Sequence, residues 1–288
     1  MKRISAKAVL AFALPATIAL SAGVAHATPF FFSTGGPDGR IGTGSRPAGA
    51  GGLEIESADD FILSQATSIT GATFNGLLPV GASVSAVRLE IYRVFPADSN
   101  NPPSGRVPTR DNSPSDVAFQ ERDGAALSYS TMDLGAFGVA NTVLNGINPK
   151  PSQTTGGEGP ANGQQVLFNV TLATPFDLPA DHYFFIPQVQ LDQGDFLWLS
   201  APKPIVPPGT PFAPDLQSWI RNENLAPDWL RIGTDVVGAQ NGGVPYNAAF
   251  SLSGQTQGQA VPEPPLWTLL GAGLFALLAV RRRGGRAG

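Results

Sequence analysis

The sequence predicts an all-β protein, a single jelly-roll-like β-sandwich of about ten strands. Three observations carry this. No long stretch of residues 28–260 shows a helical period. Apolar residues recur at every second position, the period of a half-buried strand. Gly 34 and Pro 27 together punctuate a chain that is 42% hydrophobic, which suits many short strands joined by turns.

The clearest strands lie mid-chain. Val87, Leu89 and Ile91 alternate with Arg88, Glu90 and Tyr92. Val166, Phe168, Val170 and Leu172 alternate with Leu167, Asn169 and Thr171. Tyr183, Phe185, Pro187 and Val189 alternate with His182, Phe184, Ile186 and Gln188. The second face of this last run is also apolar at Phe184 and Ile186, which predicts a central strand covered on both sides. Pro187 has no N–H for a ladder, so an edge or a bulge is expected there. Shorter strand candidates are 53–56, 60–63, 68–76, 127–131, 196–200, 228–232 and 246–252. Pro214 and Asp215, followed by Leu216, Trp219 and Ile220, predict one short helix over 214–221. Two long polar loops, 96–126 and 145–164, interrupt the pattern; loops of this length are usually functional or disordered. The tract 253–260 reads as a flexible polar linker, so the exported β domain is expected to span 28–252.

Both ends of the chain are distinct from this body. Lys2, Arg3 and Lys7 precede an apolar or small run from Ala8 to Ala25, and Ala25-His26-Ala27 has the small-x-small pattern of a signal-peptidase site. Residues 1–27 therefore read as a signal peptide, helical before cleavage and cut after Ala27. At the other end, 261–288 holds Val261-Pro262-Glu263-Pro264, then an uncharged run from Leu266 to Val280, then Arg281, Arg282, Arg283 and Arg286. A helix over 265–280 is short for a bilayer: at about 1.5 Å per residue the uncharged run covers roughly 22 Å, against about 30 Å for the hydrocarbon core. It would span with Trp267 at one interface and the arginines snorkelling at the other. The arginines stay cytoplasmic, so the body of the chain faces outward.

Pro-Glu-Pro, a short membrane helix and an arginine cluster in that order resemble the PEP-CTERM sorting signal of Gram-negative bacteria. Proteins of that family are substrates of exosortase, a membrane transpeptidase-like enzyme. The resemblance covers the tail alone. It implies passage through the inner membrane, removal of the tail near Pro262, Glu263 and Pro264, and release or attachment of the remainder at the cell surface. It further implies a role beside exopolysaccharide, in a biofilm matrix or on the surface.

Charge and composition narrow the classes of function. Of 18 Lys and Arg, three lie in the leader and four in the tail, leaving 11; of 22 Asp and Glu only Glu263 lies in either end, leaving 21. The exported part thus carries a net charge near −10, which excludes phosphate neutralisation and so nucleic acid as a partner. With Cys 0 there is no disulfide scaffold, thiolate nucleophile or Cys-type zinc site.

Residues that would carry chemistry are few. His182 is the one histidine outside the leader, and it sits in a strand pattern, so a Ser-His-Asp centre is not expected. Carboxylates stand at Asp59-Asp60, at Asp192 and Asp195, and at Asp111, Asp116 and Asp123. Asp is also a common turn and cap residue. No cofactor is expected; a calcium ion is the one candidate, with Asp59 and Asp60 the favoured pair. Trp219 and Trp229 flank a polar stretch with Arg221, Asn222 and Asp228, and are the candidate faces for a sugar. The expectation is a non-catalytic exported protein. Its rivals are a carbohydrate-binding module and a carbohydrate-active enzyme on the same scaffold.

Overall fold

The computed structural model describes residues 27–49, 52–147 and 154–257, together with a helical fragment at 270, 271, 273 and 274. Ala25, the Pro262-Glu263-Pro264 motif and Arg281 to Arg283 lie outside the described residues. So does most of the span 265–280. Among the described residues no helix is long and apolar enough to cross a membrane.

The protein is all-β. In chain order the strands are β1 (Thr28–Ser33), β2 (Ile41–Gly44), β3 (Ile55–Leu63), β4 (Thr67–Leu78), β5 (Val84–Arg93), β6 (Gln120–Arg122), β7 (Leu127–Val139) and β8 (Asn141–Val143). They continue with β9 (Ala161–Leu178), β10 (Asp181–Leu191), β11 (Leu197–Ala201), β12 (Trp219–Asn222), β13 (Leu230–Arg231), β14 (Asn247–Ala248) and β15 (Phe250–Thr256). Two sheets result. The nine-stranded sheet runs β1-β15-β4-β11-β2-β8, with β9 also on β4, β7 on β9 and β14 on β11. The six-stranded sheet runs β13-β12-β3-β10-β5-β6.

Alternation explains why the main strands form and which way they face. On β5, Val87, Leu89 and Ile91 are buried in the principal core, while Arg88, Glu90 and Tyr92 point to the other face of their sheet. Rings from both sheets meet in that core. Phe185 of β10 stacks on Phe250 of β15 at 5.1 Å, and Phe74 of β4 stacks on Phe168 of β9 at 4.6 Å. Each such ring, fully removed from water, contributes about 1.5–3 kcal/mol.

Three expectations need correction. No helix forms over 214–221: the Leu216 N–H donates to Asp60 (3.1 Å), the Asp215 carboxylate takes the Lys203 ammonium (2.5 Å), and the chain enters β12 at Trp219. Trp219 and Ile220 are both buried because β12 is covered on both faces, which removes any alternation. The tract 253–260 is not all linker. Ser253 to Thr256 continue β15, paired with β1 on one side and β4 on the other, so the β domain reaches past 252. Gly254 permits this: a Cβ there would lie 2.0 Å from the Ser68 carbonyl oxygen, at the register shift between Ser253 and Gly254. Finally, Pro187 sits at neither an edge nor a bulge. Its strand pairs with β3 only as far as Phe185; beyond it the Ser45 hydroxyl donates to the Pro187 carbonyl (2.6 Å) and Val189 N–H to Ser45 O (3.0 Å). The proline falls where β10 changes neighbour and needs no donor.

Candidate functional site

Of the candidate residues, Asp60, Trp219 and His182 lie on the face of the six-stranded sheet turned away from the principal core, and Trp229 packs against that face. Glu56, Ala58 and Asp60 of β3 share that face with Trp219 and Arg221 of β12, because Trp219 is opposite Ala58 and Arg221 opposite Glu56. His182, Phe184 and Ile186 of β10 and Arg88, Glu90 and Tyr92 of β5 complete it. The segment between β5 and β6 roofs part of this surface.

Neither tryptophan offers a face to a ligand. Trp219 is 1% exposed and Trp229 0%. Arg221 lies 4.3 Å over the Trp229 ring, Tyr92 meets that ring edge-on at 5.6 Å, and the Trp229 indole N–H donates to Ser115 O at 3.1 Å. Of the polar neighbours that marked these tryptophans as surface residues, Arg221 is a buried partner of Trp229 and Asp228 is buried beside Ser104 and Arg110.

Asp59 and Asp60 point to opposite faces of β3, as successive strand residues must. Asp59 accepts from the Ser218 hydroxyl and the Ala248 N–H, both at 2.8 Å. Asp60 accepts from His182 Nε2 at 2.6 Å and from Leu216 N–H. The two carboxylates therefore cannot converge on one ion, which corrects the calcium pair. Burial pushes both above the usual carboxylate range, Asp59 further still through the neighbouring Asp60 charge. The His182 ring packs between Phe184 and Phe212, and among the described residues no hydroxyl bonds to it. The Asp60–His182 bond ties β10 to β3 across the sheet.

Elsewhere on the polar face Glu56, Arg221, Arg110 and Asp116 are paired, while Glu90 Oε2 is buried without a hydrogen-bond partner among the described residues. Glu56 forms a bidentate pair with Arg221 and accepts from the Tyr92 hydroxyl (2.6 Å). Arg221 reaches on to Asp116 O (3.0 Å), and Arg110 Nη1 bonds Asp116 Oδ1 at 2.8 Å. Glu90 is 5% exposed, and burial, reinforced by Glu56, Glu54 and Glu121, raises its carboxyl to about 9. It is neutral at pH 7. A glycosidase needs an acid of this kind opposite a second carboxylate with a sugar between them. Here Glu56 and Glu90 are each 5% exposed and Glu56 is saturated by Arg221 and Tyr92, so no ring can enter.

Sequence reasoning missed this network because Arg110, Asp116 and Asp228 come from loops; only the alternating Arg88, Glu90 and Tyr92 announced a polar face. Open grooves lie elsewhere on the described residues, three of them between about 450 and 520 Å³. A groove of about 470 Å³ runs between β7 and the turn joining β4 to β5, lined by Tyr129, Thr131, Asp133, Gln164, Pro79 and Ser83 among others. Asp133 is held below the usual carboxylate range by the Gln164 amide and by the Gly135 N–H (2.7 Å). No family model, curated protein or solved structure matches the chain.

Proposed function

We propose that this is a non-catalytic protein of the bacterial cell surface or extracellular matrix, exported through signal peptidase and sorted by an exosortase-type system. We read its two sheets as the layers of one jelly-roll-like sandwich. The observation that carries the proposal is the order of the last 28 residues: Pro262-Glu263-Pro264, an uncharged run, then Arg281 to Arg283. The inner membrane holds the chain only transiently, and the mature part sits beside exopolysaccharide.

Two structural features support the reading. Thr28, the first residue after the expected cleavage at Ala27, lies opposite Thr256, the last residue of β15, with their hydroxyls 2.6 Å apart. The two ends of the β body thus lie side by side at one corner of one sheet. Second, Glu56 with Arg221 and Arg110 with Asp116 form buried ion pairs on the polar face, which suits a scaffold better than a catalyst. A carbohydrate-binding module is the second reading, favoured by the open groove along β7; a carbohydrate-active enzyme has no accessible acid pair on the polar face to support it.

Mass spectrometry of the mature protein's C-terminus in the native host tests the sorting. The expected terminus lies near Pro262 to Pro264, and the tail returns when the exosortase is deleted. A mature surface form that keeps Arg281 to Arg283 overturns the proposal.

A further inference from the structure

We infer that the groove beside β7 is a binding site for a neutral, hydroxyl-rich glycan chain. The inference takes from the proposed function only the source of the polymer; the site stands on its own geometry.

Tyr129, Thr131 and Asp133 are spaced two apart on β7 and face one way, in register with Val170, Phe168 and Val166 of β9. The β9 residues of that row are buried in the core, but β7 projects beyond it, and Ser128 to Leu134 are all exposed. The row therefore forms one wall of the groove, over about 14 Å at strand spacing. The turn carrying Pro79, Ala82, Ser83 and Val84 forms the other. A volume of about 470 Å³ suits a small ligand or a short run of a polymer, for which sites span about 300–1,000 Å³.

The chemistry of the walls selects the ligand. Tyr129 is 37% exposed, and its hydroxyl reaches toward the Val84 carbonyl (3.5 Å), so the ring leans across the groove. An aromatic face beside Pro79 and Val84 accepts the C–H face of a sugar. Asp133, fixed by Gln164 and Gly135, keeps free acceptor positions, since a carboxylate offers about four and two are used. Gln164 Oε1 and the Thr131 and Ser83 hydroxyls add acceptors and donors suited to vicinal diols. Such fixed groups need little ordering on binding. Asp133 is the only charged residue of the lining, so the groove disfavours phosphates, sulfates and uronic acids.

The test uses the full chain with cellohexaose, laminarihexaose, mannohexaose and hexagalacturonate, by titration calorimetry. At least one neutral hexasaccharide is expected to bind saturably, with hexagalacturonate about ten-fold weaker or silent. Tyr129→Ala and Asp133→Asn, both at exposed positions, are each expected to weaken binding about ten-fold while leaving the thermal midpoint in place. Absence of saturable binding by all three neutral hexasaccharides overturns the inference, as does binding that survives both substitutions unchanged. Neither result touches the sorting proposal, which is judged on the C-terminal mass.

Discussion

The outer face of the six-stranded sheet and the β7 side of the nine-stranded sheet differ in a way that reverses the first impression of each. The outer face is dense in ionisable groups: Glu56, Glu90, Arg110, Asp116, Arg221 and Asp228 all belong to it or to its roof, and all but Glu90 are charged. Yet every one of them is at most 7% exposed. β7 carries a single charge, Asp133, but seven consecutive residues from Ser128 to Leu134 are open to solvent. Charge that is buried is committed to its partners, because removing it from water costs several kcal/mol per ion unless those partners are in place. Chemistry toward a ligand has to come from groups that water can still reach. The comparison assigns cohesion to the first region and recognition to the second.

The sharpest way to break that assignment is to remove Arg221. Arg221→Met leaves Glu56 buried without its bidentate partner and takes the cation off Trp229. A loss of about 3–5 kcal/mol is expected in urea unfolding. Adding Glu56→Leu should return most of it, since an apolar pair of similar volume is often as stable as the ion pair. A loss below about 1 kcal/mol in Arg221→Met would mean that the outer face is solvated, and the contrast with β7 would collapse.

Glu90 sharpens the same point through pH. Its folded carboxyl titrates at about 9, against an ordinary value of 4.5, so the folded chain holds a proton that the unfolded chain has released. This stabilisation is complete below about pH 4.5 and is lost as pH rises toward 9, with a slope of at most about 1.4 kcal/mol per pH unit. Asp59 and Asp60 shift in the same direction, so the informative quantity is the difference between the native chain and Glu90→Gln. That difference should favour the variant progressively from pH 5 to pH 8, by about 1–3 kcal/mol at the upper end. Parallel pH profiles for the two proteins would show that Glu90 is hydrated.

How far the sequence disclosed these regions follows from how each is held. β5 and β9 were legible because one face is apolar and the other largely polar, so alternation survives in the letters; β10 was legible as a continuous apolar run, buried on both faces. β12 was not: Trp219 and Ile220 are buried on opposite faces, and the spacing of Leu216, Trp219 and Ile220 imitates a helical stripe. Ser253 to Thr256 were read as linker because their side chains are polar; what makes them a strand is backbone pairing to β1 and β4, which leaves no compositional trace. The tryptophans were misplaced for a related reason. Arg221 and Asp228 looked like solvent-facing neighbours, and only the fold brings Tyr92, Arg110 and Asp116 to bury them. The groove was invisible because its two walls are about fifty residues apart and its one aromatic, Tyr129, reads as an ordinary strand residue.

Gly254→Ala probes the extension of β15. The added Cβ would meet the Ser68 carbonyl and Ile69 Cα at 2.0 and 2.9 Å, both backbone atoms that cannot turn aside. Overpacking of this kind costs about 1–3 kcal/mol, measurable in the same urea titration. An unchanged midpoint would return 253–256 to a linker.

The smallest effect is expected on β7 itself, and its smallness is the point. Leu134 is 47% exposed on a strand paired along one edge only, with β9. Another outer strand of the same sheet, β1, is partly covered: Ser33 exchanges hydrogen bonds with Thr210, through N–H to Oγ1 at 3.2 Å and from Thr210 N–H at 2.6 Å. Lysine is a residue that natural edge strands use to stay unpaired. Leu134→Lys should therefore alter stability by no more than about 0.5 kcal/mol. A loss above about 1 kcal/mol would show that Leu134 is covered in solution, by a second copy or another chain laid along the edge, and the exposed side of the comparison would have to be redrawn as an interface.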